Sequence, residues 1–166
     1  MIDGGLELAF HVAERLGRLD GVQAVVLGWS LARGVAKPDS DIDIGIYYRP
    51  DRPPDLGELR ALAAELGDSG AGDAVTDFGG WGPWINGGAW LQVQGRALDW
   101  LYRDLDKVEG VLERSLQGHI ERHEQPGHPH GFHAHIYLGE LFYCRVLHDP
   151  NGVCVELNFP PGEAQS

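Results

Sequence analysis

The sequence predicts an α/β chain, and three patterns carry that prediction. Val22-Gln23-Ala24-Val25-Val26-Leu27 is an apolar run rich in β-branched residues, which reads as a buried strand ending at Gly28. Residues 41–46 alternate Asp41 and Asp43 with Ile42, Ile44 and Ile46, the period of a strand with one face in a core. Ahead of both, Leu6, Ala9, Phe10, Ala13 and Leu16 recur at helical spacing.

The elements follow in order. The first helix is expected over Leu6 to Leu19 and ends at Asp20-Gly21. After the Val22–Leu27 strand, Ser30 can cap a short helix over Leu31 to Gly34, and Pro38 returns the chain to the strand at Asp41. Arg49-Pro50-Asp51-Arg52-Pro53-Pro54 is a loop leading to a helix over Leu56 to Leu66. The glycine-rich stretch Gly67 to Gly88 reads as a long surface loop with a short strand near Val75. Its Trp81 and Trp84 offer faces for a nucleobase, or pack the loop onto the sheet. Trp90–Val93 and Ala97–Tyr102 alternate around Gln94-Gly95-Arg96 as a hairpin. Beyond it the pattern predicts a helix over Leu105 to Leu116, a loop over His119 to Pro129 and a helix over Phe132 to Leu147.

The chemistry concentrates between Gly28 and Ile46. Asp41 and Asp43 point to the same side of their strand, about 6–7 Å apart by the strand rise. Two carboxylates so placed repel unless they are solvated at an edge or share a cation, and an all-oxygen set suits Mg²⁺. The turn before them supplies what a phosphate needs: a strand entering Gly28, a capping Ser30, free N–H groups at a helix start and the cation Arg33. Other motifs fail. Asp39-x-Asp41-x-Asp43 has Ile44 and Pro50 where a calcium loop needs Gly and Glu. Neither a Walker A nor a dinucleotide-binding glycine spacing is present.

On these residues the chain resembles the nucleotidyltransferases of the DNA polymerase β type, whose signature is a strand, Gly-Gly/Ser, roughly ten residues and Asp-x-Asp on the next strand. It is most similar to small bacterial members, the group of minimal and antibiotic-modifying nucleotidyltransferases. The likeness is specific over Val22 to Tyr48 and extends to about Val108. It implies a mixed sheet flanked by helices (α/β, α+β), with a core over 1–108 and a short helical C-terminal extension over 109–166. It also implies a third carboxylate from a later strand, for which Asp99 is the match; Asp104 and Asp106 read better as a helix start. The resemblance makes Asp41, Asp43 and Asp99 the metal ligands and catalytic residues, with two Mg²⁺ ions. It makes Gly28, Ser30 and Arg33 the nucleotide-binding residues, with ATP the first choice of NTP. Trp29 departs from the pattern, standing where such families place glycine, so an indole there either crowds the phosphates or packs aside. Relatives place a catalytic base on a C-terminal helix; Glu140 is a candidate, or a salt-bridged glutamate.

Composition bounds the partners. At 166 residues and 43% hydrophobic content, the chain suits one compact domain with an appendage. A net charge of −12 argues against duplex nucleic acid, leaving a hydroxyl-bearing small molecule or protein as acceptor. Cys144 and Cys154, with no signal peptide or long apolar segment in view, fit a reducing cytoplasm and no membrane. The histidines His119, His123, His128, His130, His133 and His135 are dense but lack the partners of a zinc motif. Relatives carry a fuller helical bundle, so a homodimer, a helical partner or a longer chain would complete the site. The competing function is a partner-binding, antitoxin-like protein without turnover; a third is a sensor that binds NTP without chemistry.

Overall fold

The computed structural model describes residues 4–28, 32, 34, 37 and 39–158. Helix α1 (Gly4–Gly17) turns Leu8, Val12 and Leu16 inward, so the expected first helix holds but ends at Gly17. It leads to β1 (Val22–Leu27) and β2 (Ile42–Tyr48). The Asp55 carboxylate then caps α2 (Leu56–Leu66), accepting the Glu58 N–H at 2.9 Å.

The strand expected near Val75 is absent among the described residues. A 3₁₀ turn occupies Ala71–Ala74, and Thr76 forms no ladder: its N–H donates to the Gly88 carbonyl at 2.8 Å, and its carbonyl accepts the Tyr102 hydroxyl at 3.1 Å. Strands β3 (Gly88–Val93) and β4 (Arg96–Asp104) form the expected hairpin. Their two-residue turn has Gln94 at φ 53° and Gly95 at φ 75°, the left-handed pair that matches strand twist.

After β4, the Asp104 carboxylate accepts the Asp106 and Lys107 N–H groups and starts α3 (Leu105–Leu116), as expected. The C-terminal part then departs from the sequence reading. The loop expected over His119 to Pro129 contains β5 (Arg122–Gln125), which pairs with β6 (His128–His133) as a separate hairpin. The helix expected over Phe132 to Leu147 is only α4 (Ile136–Tyr143). Cys144 turns extended, and Arg145–His148 becomes β7, paired antiparallel with the edge of β1. Pairing a free strand edge outweighs helical spacing, because β1 would otherwise leave its backbone groups unbonded. Residues 109–158 are therefore not helical throughout, and the expected boundary at 108 falls inside α3. Helix α5 (Val153–Asn158) follows, with Asp149 accepting its first N–H groups. No described helix is long and apolar enough to cross a membrane.

The main sheet has strand order β3-β4-β2-β1-β7, with β2 and β4 parallel and the other neighbours antiparallel. This is the mixed sheet expected of an α/β (α+β) nucleotidyltransferase fold. Its two faces are packed differently. On one, Ile42, Ile44, Ile46, Leu98 and Trp100 meet α1 and α2 in a continuous core. On the other, Ala24, Val26 and Tyr47 meet Leu105, Phe132, Tyr137 and Leu141 from the C-terminal elements. Among the described residues that second cover leaves Asp41 exposed and Asp43 and Asp99 partly exposed at the N-terminal parts of β2 and β4, and the candidate site lies there.

Candidate active site

Alternation along β2 assigns the carboxylates to the second face. Ile42, Ile44 and Ile46 are fully buried beneath α1 and α2, so Asp43, Gly45 and Tyr47 project the other way; Asp41 lies just ahead of the strand and is exposed. On β4, Leu98, Trp100 and Tyr102 take the core side, leaving Asp99, Leu101 and Arg103 opposite. The parallel ladder pairs Asp43 with Asp99, which sets the two backbones about 4.8 Å apart.

Electrostatics shows that the three acids share one field. Burial first, then Asp43 and Asp41, push the Asp99 carboxyl up to about 6. The Asp43 carboxyl is raised by burial, Asp41 and Glu140. Yet they are not gathered into a closed cage: among the described residues, no three His, Cys, Asp or Glu side chains stand close enough to hold a metal ion. The set is oxygen-only and mutually repelling, so its chemistry fits a hard divalent ion that would draw it together.

Gly28 sits against this pair. Its N–H donates to the Asp43 carbonyl at 2.7 Å, and its carbonyl accepts the Ala32 N–H at 3.2 Å. A Cβ on residue 28 would stand 2.8 Å from Asp43 Cβ. The structure thus shows one reason for glycine here: Asp43 occupies the space a side chain would need. Trp29, Ser30 and Arg33 lie outside the described residues.

Behind Asp43 a cleft of about 250 Å³ runs between the sheet and α4, bordered by Gly28, Gly45, Leu101, Ile136 and Glu140. Arg103 and Glu140 close its far end. The Arg103 Nε and Nη2 atoms donate to the two Glu140 oxygens, both at 2.7 Å, and Nη1 donates to the Tyr102 and Ile85 carbonyls at 2.8 and 3.1 Å. Glu140 is therefore a salt-bridged helix glutamate. Arg103 escaped the sequence reading, although its spacing of four from Asp99 along one strand put it on the site face.

Of the remaining candidates, Trp84, His123 and Cys154 are packed, while His128, His130, His133 and His135 are exposed. His123 stacks on Trp84 with ring centroids 3.8 Å apart, and Lys107 Nζ lies 5.3 Å from the same indole. His128, His130 and His133 lie along β6, and His135 precedes α4. Cys144 and Cys154 form no disulfide; the Cys144 thiol donates to the Leu141 carbonyl at 3.1 Å, and burial, with Asp149 and Cys144, pushes the Cys154 thiol up to about 12.

Comparison with known proteins identifies the family. Searches of curated proteins and of solved structures gave no match. The nucleotidyltransferase domain family matches residues 11–117, which run from the middle of α1 to the end of α3 and include Gly28, Asp41, Asp43 and Asp99. The chain therefore belongs to the nucleotidyltransferase domain family, of the polymerase β type, whose members use nucleoside triphosphates and a divalent metal for nucleotidyl transfer.

Proposed function

We propose that the protein transfers a nucleoside monophosphate from an NTP, with ATP the first choice, to a hydroxyl of a small molecule or protein acceptor. The observation that carries this reading is the Asp43–Asp99 ladder pair, with Asp99 pushed up to about 6 by burial and then by its acidic neighbours Asp43 and Asp41. Asp41, Asp43 and Asp99 would hold two Mg²⁺ ions, which supply charge neutralisation at the phosphates and polarise the phosphoryl oxygens. Gly28, Ser30 and Arg33 would bind the β- and γ-phosphates through N–H groups and a positive side chain. The acceptor oxygen forms its bond to the α-phosphorus as the bond to the β-phosphate breaks, and pyrophosphate leaves. Asp99 takes the hydroxyl proton. Function in a cytoplasm, and completion of the site by a second copy or a helical partner, belong to the same reading.

The test is thermal stability against a panel of NTPs with and without Mg²⁺, run on the parent, Asp43→Asn and Trp29→Gly. At saturating ligand, about a hundred times Kd, nucleotide binding should add about 2.7 kcal/mol to the parent. The Asp43→Asn variant should lose that gain and all transfer while keeping its fold. Unchanged turnover in Asp43→Asn would sink the assignment. Trp29, in place of the usual glycine, favours the second reading, a partner-binding protein without turnover. A response confined to Trp29→Gly would select it.

A further inference from the structure

We propose that the Trp81–Trp90 pair is the acceptor subsite, taking the ring of a hydroxyl-bearing small molecule and presenting its hydroxyl to Asp99. This inference rests on the transfer reading above.

The geometry comes from the strand register. The Gln94-Gly95 turn fixes β3 against β4 so that Trp90 stands directly opposite Asp99, and Asp99 is in turn paired with Asp43. Residues opposite one another in such ladders project from the same face. Gly28, bonded to the Asp43 carbonyl, completes a row that crosses the sheet as Gly28, Asp43, Asp99, Trp90. Trp90 is 69% exposed, whereas Ala89, Leu91 and Val93 beside it are buried on the core side. Its outward face is supported by Trp81, whose ring lies 4.9 Å away at 25°. Trp81 is itself held: its N–H donates to the Asn86 carbonyl at 2.8 Å, and the buried Gln125 amide donates to its carbonyl. The pair borders a groove of about 500 Å³ between bare backbone at Gly79, Gly80 and Gly82 and the hairpin at Pro126.

The chemistry gives the groove its occupant. In-line displacement sets the attacking hydroxyl and the departing pyrophosphate on opposite sides of the α-phosphorus. With the pyrophosphate end at Gly28 and the phosphorus over the aspartates, the hydroxyl enters from the far side of Asp99. Trp90 is the next side chain there, about 5 Å along the row. A flat indole backed by a second one binds the face of a ring, aromatic or sugar, and offers nothing comparable to an open-chain alcohol. Trp84, by contrast, is already covered by His123 and Lys107.

The experiment uses the full chain with Mg²⁺ and ATP. Phenyl β-glucoside serves as the ring probe and glycerol as the open-chain probe, with binding read by saturation-transfer NMR. Saturation should pass to the ring protons of the glucoside and not to glycerol. Trp90→Ala and Trp81→Ala should weaken the glucoside roughly three- to tenfold, while Trp90→Phe retains it. Stabilisation by Mg²⁺ and ATP should be unchanged in all three. No transfer to the glucoside in the parent, or equal transfer in Trp90→Ala, overturns the proposal. So does loss of the nucleotide effect in Trp90→Ala, which would make the pair part of the nucleotide site. Absence of any Asp43-dependent nucleotide effect is a separate result and would instead overturn the transfer reading.

Discussion

Strand β4 carries Asp99 and Arg103 on the same face, four residues apart, in opposite electrostatic circumstances. Arg103 is 5% exposed and bonded through both sides of its guanidinium to Glu140 and to two backbone carbonyls. Asp99 is half-buried and surrounded by acid, from Asp43 and Asp41. One end of the face spends its charge on fastening α4 to the sheet. The other accumulates like charge with no cationic partner among the described residues, an arrangement that opposes folding and makes sense when a cation and a phosphate complete it. The same face of the sheet therefore carries a structural ion pair to α4 and the proposed catalytic pair, and the contrast can be attacked from either end.

The largest effect belongs to the fastened end. Arg103→Ala leaves Glu140 facing an apolar cleft without its cation, and a loss of about 3–5 kcal/mol in urea denaturation is expected. Replacing both partners, Arg103→Met with Glu140→Leu, should recover most of that loss. A single substitution with no effect would mean that α4 is held by its apolar contacts alone.

An intermediate effect tests how tightly the open end is built. Gly28→Ala drives a methyl to within 2.8 Å of Asp43 Cβ, so about 1–3 kcal/mol should be lost. Displacing Asp43 should also weaken the Mg²⁺-dependent response to ATP. Stability loss with an unchanged nucleotide response would separate packing of Gly28 from the placement of Asp43.

The smallest effect has the opposite sign and is the sharpest. An acid whose folded pKa lies above its unfolded value opposes folding once pH exceeds both, and the opposition fades as pH falls. Asp99 rises from 3.8 to about 6, so its penalty is complete above about pH 6 and gone below about pH 4. Asp99→Asn should therefore stabilise the metal-free protein at pH 7. Discounted for the solvent screening of a half-exposed group, the gain is about 1 kcal/mol, or roughly 2–4 °C in Tm. The gain should shrink at pH 5 and disappear at pH 4. A variant less stable than the parent at pH 7 would show that Asp99 is a structural group like Arg103.

Much of the fold and of the site was legible because it is local. The alternation of Asp41, Ile42, Asp43 and Ile44 sorts a strand into two faces whatever surrounds it, and Asp104 caps α3 through its own next N–H groups. The two-residue turn at Gln94-Gly95 also fixed a neighbour that the sequence reading passed over. Counting back from the Val93–Arg96 pair places Trp90 opposite Asp99. The C-terminal part was less legible. Residues 132–147 have helical spacing, but whether Arg145–His148 continues a helix or pairs as a strand depends on the open edge of β1, more than a hundred residues earlier in the chain.

What the sequence determined by itself, then, was the identity of the carboxylates, the side of the strand each takes and the family those residues announce, because short-range periodicity and capping decide them. Only the tertiary structure decided that Asp43 meets Asp99 in a parallel ladder, that Arg103 is consumed by Glu140, and that the second face stays open at one end. Those outcomes depend on register between distant segments and on how far the C-terminal elements reach across the sheet. No local pattern encodes either, since both are settled by which apolar surfaces and strand edges find cover when the whole chain packs.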